Sequence, residues 1–253
     1  MHIYNSPLDQ FTVQELIGIK VQLLGLENLA LTNHSLYMIF VLVTIVGLHF
    51  FGDNEAKLVP NKWSIAFEAS YGSLNTMVRD QIGLLSERYL PFIYSIFFLV
   101  LIGNLISNIP YSYAVNASAV TTLGISVTIF IGVTILGLSI HKVKFFSYFI
   151  PSGTPLALVP LIVLIEIISY SARAVSLGVR LFANITAGHA LLKILSTFLF
   201  KLFSSTLLIS VLTLIPFSLF LGLIGLELAV SLIQAFVLTL LVCSYLKDAI
   251  DLH

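Results

Sequence analysis

Charge is what this sequence has least of. Asp, Glu, Lys and Arg make up 9% of its 253 residues, where water-soluble domains carry about 25%. Acidic and basic residues cancel at twelve each, which leaves no basic surface for nucleic acid. One cysteine, Cys243, excludes an intrachain disulfide. There is no phosphate-cradling P-loop, no dinucleotide-binding glycine fingerprint and no Cys/His cluster, so nucleotide chemistry, cofactors and metals are not expected of this chain. A cleavable signal peptide with a charged n-region is also missing from the N-terminal stretch.

Hydrocarbon takes the place of charge. Hydrophobic residues reach 58% and the mean hydropathy is +1.04. The expected fold is an all-α integral membrane protein, a single membrane domain over 1–253 and one part of a larger machine. It should comprise transmembrane helices, one amphipathic surface helix and a long, strongly tilted C-terminal helix hairpin. Residues 1–33, where His2, Asp9, Glu15, Lys20 and Glu27 interrupt short apolar runs, read as an extramembrane lead-in with a short helix. The run at 34–52 can span if it tilts or its flanks snorkel, with His34 and His49 at its interfacial ends. Over 60–83, Trp63, Ala66, Phe67, Leu74, Val78 and Ile82 recur at helical spacing among charges. That pattern describes a helix along the membrane surface, anchored by Trp63, whose face a partner subunit could also use. Further spans are expected at 88–110 and 118–141.

The last third is apolar for too long. The stretches 155–201 and 204–249 each hold about twice the ~20 residues of one crossing. As straight helix each would reach over ~60 Å, against a hydrocarbon core of ~30 Å. Lys201-Leu-Phe-Ser-Ser205 reads as a bend between two tilted helices, and Pro216 as a kink in, or the start of, the second. Five passages put the termini on opposite sides. Lys57, Lys62, Arg79, Arg88, Lys142, Lys144 and Lys247 then share one side, against Lys20 and Lys201 on the other, which puts the C-terminus inside.

The few polar residues of the hairpin are ordered. Ser169–His189 carries Arg173 and Arg180 in a segment apolar enough for lipid, where an arginine costs about 2.5–3.5 kcal/mol and cannot shed its proton. At ~100° per residue, Glu166, Ser169, Arg173, Ser176, Asn184 and Ala187 fall within roughly 40° of Arg180, and His189 faces away. Glu227, Gln234, Tyr245 and Asp248 form a second stripe on the returning helix. By depth, His189 and Glu227 group outside and Glu166 and Asp248 inside, with a permanent cation between. Two aqueous half-channels separated by Arg180 would follow, a proton crossing only on a carboxylate supplied by a moving partner. Two readings of Asn104 are open, lining a polar cavity or tying two helices together. Tyr245 either points into the inner mouth or packs, and packing is favoured. Other classes remain: scattered helix–helix hydrogen bonds in a structural scaffold, or an autonomous transporter or channel. The scaffold has no use for Arg180 opposite carboxylates. The transporter would need a complete path in one chain, commonly with inverted repeats that the two halves do not show.

The stretches SLGVRLFANITAGH and ELAVSLIQAF and the ending SYLKDAIDLH resemble subunit a of F-type ATP synthases, as do SPLDQF near the start and NLISNIPYSYA. The start and the ending are similar to the fungal mitochondrial form. The resemblance implies that Arg180 is the essential arginine facing the carboxylates of the rotor c-ring. It implies that His189, Glu227, Asn184 and Gln234 serve the half-channel on the intermembrane-space side, and Glu166 and Asp248 the matrix side; Asn104, read as lining a cavity, would join the outer group. Arg173 would be a second basic residue, with Ser176 and Tyr245 also secondary. The implied partners are the c-ring, the peripheral stalk, other small membrane subunits and the lipid bilayer of the mitochondrial inner membrane. Maturation near Ser6 is implied as well, and the expected ion is H⁺.

Overall fold

The computed structural model describes residues 8–19, 29–52, 60–83, 86–109, 112–150, 158–205 and 207–250. Ser6, Lys20, Glu27, Asp53, Glu55, Lys57, Pro110, Tyr111 and the expected start of the first hairpin helix at 155–157 fall outside them.

A backbone in lipid finds no water for its N–H and C=O groups, so an apolar chain there must be helical. The helices are α1 (Asn33–Gly52), α2 (Lys62–Ile82), α3 (Ser86–Ser107), α4 (Ala119–His141), α5 (Val159–Phe203), α6 (Leu207–Leu212) and α7 (Leu214–Ile250). Among the described residues, five stretches are long and apolar enough to cross a membrane: Asn33–Gly52, Glu87–Ser107, Ala119–Phe149, Val159–Phe203 and Ile209–Ile250. This is an all-α membrane protein, with one small exception at its N-terminal end.

In the described part of the lead-in, a 3₁₀ turn at Asp9–Phe11 precedes β1 (Glu15–Ile19), which pairs antiparallel with β2 (Leu29–Thr32), a strand pair not expected from the sequence. Ile17 lies opposite Leu31, and an irregularity sits between Glu15 and Ile17. Asn33 latches the end of this hairpin to α1. Its side chain accepts from Gln14 N at 3.1 Å and donates to the Thr12 carbonyl at 3.1 Å, while its own N–H reaches the Gln14 carbonyl at 3.0 Å.

Local chemistry sets the other ends. Asn61 caps α2 by accepting from Lys62 N at 2.8 Å, and Gly83, at φ 81°, closes it with an N–H bond to the Arg79 carbonyl. The C-terminal half of α2 buries Leu74, Val78 and Ile82, one apolar position per turn, and Trp63 stays exposed. α4 ends where Lys142 turns left-handed (φ 51°). A 3₁₀ stretch then runs from Lys142 to Phe149, a segment whose structure the sequence reading left undescribed. It folds back onto α4, because a Cβ at Gly137 would lie 2.6 Å from the Phe145 ring.

α5 is unbroken for 45 residues and α7 for 37. At 1.5 Å per residue these are ~68 and ~56 Å, about twice the ~30 Å hydrocarbon core. The Ser204 and Ser205 hydroxyls bond the carbonyls of Lys201 and Leu202 at 3.0 and 2.6 Å, ending α5 at the expected bend. The returning stretch is interrupted at Thr213, one turn before Pro216. Proline brings no N–H to the carbonyl four residues back, that of Leu212. Thr213 N and Phe217 N still bond Ile209 and Thr213 carbonyls on either side.

The chain divides into two compact units: Met1–Gly47, Leu99–Ser118 and Phe182–Gln234 form the first, and Leu48–Phe98, Ala119–Leu181 and Ala235–His253 the second. In the first, buried amides tie α3, the 112–118 segment and α7. In the second, His49 meets the Tyr94 hydroxyl at 3.0 Å between the Phe67 and Phe98 rings, so its environment is an aromatic pocket as well as a helix end. α4 and α5 approach closely there: a Cβ at Gly178 would lie 2.9 Å from Leu123 Cδ2 and 3.0 Å from the Thr122 carbonyl oxygen. Backbone cannot swing aside as a side-chain tip can. Gly178→Ala should therefore cost about 1–3 kcal/mol, seen as a lower temperature of thermal inactivation in the membrane. Gly124→Ala, with nothing within 4 Å of its Cβ, should cost nothing; equal tolerance of both would refute the close packing.

Candidate functional site

The hairpin helices bring polar groups together in each unit. In the first unit, His189 Nε2 on α5 faces Glu227 Oε1 on α7 at 3.8 Å. Both atoms are buried, and neither hydrogen-bonds another described residue. A buried polar atom left unmatched costs about 1–3 kcal/mol, so a purely structural pair would close the gap. Gly188 permits the approach: a Cβ there would lie 2.8 Å from Glu227 Oε1. Glu227 also lines a cavity of about 170 Å³, whose polar lining is Asn184, Glu227 and Ser231. Gln234 is buried on the same helix, 8% exposed.

Asn104 is not on that cavity's wall. It is wholly buried, donates to the Ser231 carbonyl at 3.2 Å and accepts from Asn116 Nδ2 at 2.7 Å. Asn108 Nδ2 bonds the Ser231 hydroxyl at 2.9 Å. This geometry ties α3, the 112–118 segment and α7 together. Ser231 and Asn116 were missed as its partners, since a serine and a loop amide carry no signal in a single sequence.

The second unit holds a charged cluster centred on Arg173. Its Nη1 donates to Asp248 Oδ2 and to the Tyr148 hydroxyl, both at 3.2 Å, and Nη2 lies 3.9 Å from Glu166 Oε1. One guanidinium thus faces two carboxylates, as helical spacing allows: Glu166 and Arg173 are seven residues apart on one face of α5. Tyr245 lines the pocket beside Arg173 and Asp248, together with Phe145, Tyr148 and Tyr170. It packs among these rings at the edge of the charged cluster. Tyr148 escaped the sequence reading because the flanking Lys142 and Lys144 mark its segment as an extramembrane connection.

Arg180 shares in the bonds of neither cluster, although it lies near enough to Tyr245 to interact with it electrostatically. Its side chain is exposed on α5 and, among the described residues, makes no hydrogen bond or ion pair. Ser176 is exposed too, on an open face with Ala172, Val175 and Val179. No group of three or more His, Cys, Asp or Glu side chains converges as metal ligands would, among the described residues.

Residues 35–247 match the family model of the ATP synthase A chain. The chain belongs to that family. It is 59% identical to ATP synthase subunit a of Mycosarcoma maydis over 99% of each chain, and 48% identical to that of Yarrowia lipolytica over 99% of each. Identity to the Emericella nidulans subunit a is 46%, over 98% of this chain and 97% of that one. As a member of the ATP synthase A chain family it is a multi-pass membrane protein of the Fo sector, engaged with other subunits in proton transport and ATP synthesis.

The amide network offers a test that separates its two readings. Asn104→Ala would leave Asn116 Nδ2 without its acceptor and remove the bond to α7, at a cost of about 1–3 kcal/mol. Earlier thermal dissociation is expected, with proton transport per assembled complex preserved. Unchanged stability with reduced transport would instead make Asn104 part of a proton path.

Proposed function

We propose that this chain is the proton-path stator of a rotary ATP synthase in the mitochondrial inner membrane, with its N-terminus in the intermembrane space and its C-terminus in the matrix. It forms two offset half-channels against a ring of carboxylate-bearing c subunits. His189 and Glu227 serve the outer one, with Asn184 and Gln234, and Asn104 holds the helices behind them. Glu166 and Asp248 serve the inner one, organised by Arg173 and flanked by Tyr245. Arg180 stands between the half-channels, Ser176 beside it on the ring-facing surface, and the peripheral stalk and small membrane subunits hold the chain against rotation.

One observation carries the reading. Arg180 is exposed on an apolar helix face with no counter-charge among the described residues, whereas Arg173, seven residues earlier, has two carboxylates within 4 Å. An arginine facing lipid alone is costly, so the arrangement supports a counter-charge brought by a partner. A ring carboxylate must be neutral to travel through lipid, and beside a fixed guanidinium it is favoured ionised. It therefore gives its proton to one half-channel and takes the next from the other. The guanidinium cannot hand on a proton itself, which blocks direct leakage. Each charge that crosses draws roughly 2.3 kcal/mol per 100 mV of membrane potential.

The outer pair supports proton exchange in its own way. Transfer needs donor and acceptor within about 2.6–3.2 Å, and His189 Nε2 and Glu227 Oε1 stand at 3.8 Å, close enough for a small side-chain movement to join or part them.

Arg180→Gln and Arg180→Lys in native membranes test the proposal. The complex should assemble and make no ATP under an imposed proton-motive force, and the glutamine variant should leak protons passively. Normal synthesis in an assembled Arg180→Gln complex would reduce Arg180 to a structural role.

A further inference from the structure

The His189–Glu227 pair has a third neighbour, from a part of the chain that the proton path does not use. Phe11 closes the N-terminal 3₁₀ turn, and its ring meets the His189 imidazole edge-on, centroids 6.2 Å apart at 72°. From Leu8 to Gly18 every other residue is exposed; Phe11 alone turns inward. It packs against the buried cluster of Ala114, Ala117 and Ile185.

Its position is fixed from two sides. The Tyr113 hydroxyl donates to the Phe11 carbonyl at 3.4 Å, and burial pushes that phenol above its usual range, so it keeps the proton it donates. Tyr113 is itself braced by α1, against the His34 ring at 5.7 Å and the Tyr37 ring at 6.1 Å. One residue beyond Phe11, the Asn33 latch holds Thr12 and Gln14 to the start of the same helix. A continuous line of contacts therefore runs from α1 through Tyr113 and Phe11 to His189, all within one compact unit.

We propose that Phe11 is a positioning residue for proton transfer: its ring edge sets the imidazole plane of His189 so that Nε2 faces Glu227. The torsion that swings an imidazole is broad and roughly two-fold, and Nε2 is bonded to no described residue, so nothing on the ring's own far side selects its orientation. An edge-to-face aromatic contact does, and Phe11 has no proton of its own to contribute. Among the described residues, Glu227 of α7 lies in front of the ring, Tyr113 and His34 lie behind Phe11, and Lys193 follows one turn along α5. This inference rests on the reading of His189 and Glu227 as a proton path.

The test uses the assembled complex in its membrane. ATP synthesis per complex is measured against the pH of the proton-entry side, with the opposite side held constant, for Phe11→Ala, Phe11→Tyr, Tyr113→Phe and His189→Ala. Phe11→Ala should move the midpoint of the profile by about half a pH unit or more, roughly a threefold change in proton affinity. Phe11→Tyr, which keeps the ring edge, should restore it, and Tyr113→Phe should move it part of the way. If Phe11→Ala lowers only the amount of complex and leaves the per-complex profile unchanged, Phe11 is core packing and the inference is overturned. If Phe11→Ala does not assemble, Tyr113→Phe decides by the same criterion. A profile that moves in His189→Ala but not in the Phe11 and Tyr113 variants sinks this inference alone; one that stays put in His189→Ala sinks the path reading with it.

Discussion

A charge inside hydrocarbon must be matched or covered, and the polar groups of this chain are arranged by that rule. Arg173 obeys it within the chain, with Asp248 and Tyr148 at hydrogen-bond distance and Glu166 just beyond. Arg180 does not, among the described residues. Two arginines seven residues apart on one helix therefore have opposite characters, one an internal anchor and the other an open valence. In the proposed function, that contrast is what a sliding surface for a partner with the complementary charge requires.

Neutral polar groups follow the same rule with less at stake. Asn104, Asn116 and Ser231 satisfy one another in a place where an unmatched amide would be expensive. The His189–Glu227 pair is left open by comparison. Bonded amides thus stand near a buried pair that makes no hydrogen bond to a described residue. A closed, fully bonded carboxylate at that point would be more stable and less able to exchange a proton.

Much of this was legible in the sequence because lipid simplifies the code. The apolar runs mark the spans, and their excess length over a bilayer marks α5 and α7 as unusual helices. The spacing of Glu166, Arg173 and Arg180 puts all three on one stripe, yet a stripe does not say which arginine the carboxylates choose. That choice depends on Tyr148, delivered by a 3₁₀ fold-back that needs a left-handed Lys142 and the missing side chain of Gly137. Neither has a periodic signature. The strand pair in the N-terminal lead-in was not legible, because short apolar runs broken by charges fit both periods. Phe11 was invisible for a related reason, since its meaning comes from residues about a hundred and more positions away.

The Arg173 cluster also imposes an order on the chain's own synthesis. Arg173 and Asp248 are separated by 75 residues, about 4–15 s of translation at 5–20 residues per second. For that interval the arginine enters the membrane without its main counter-ion. Glu166 emerges just ahead of it on the same helix and is the carboxylate already at hand. The weaker, longer ion pair of the finished protein is thus the first one available to the growing chain. Glu166 is the partner on hand for a half-buried cation until Asp248 follows.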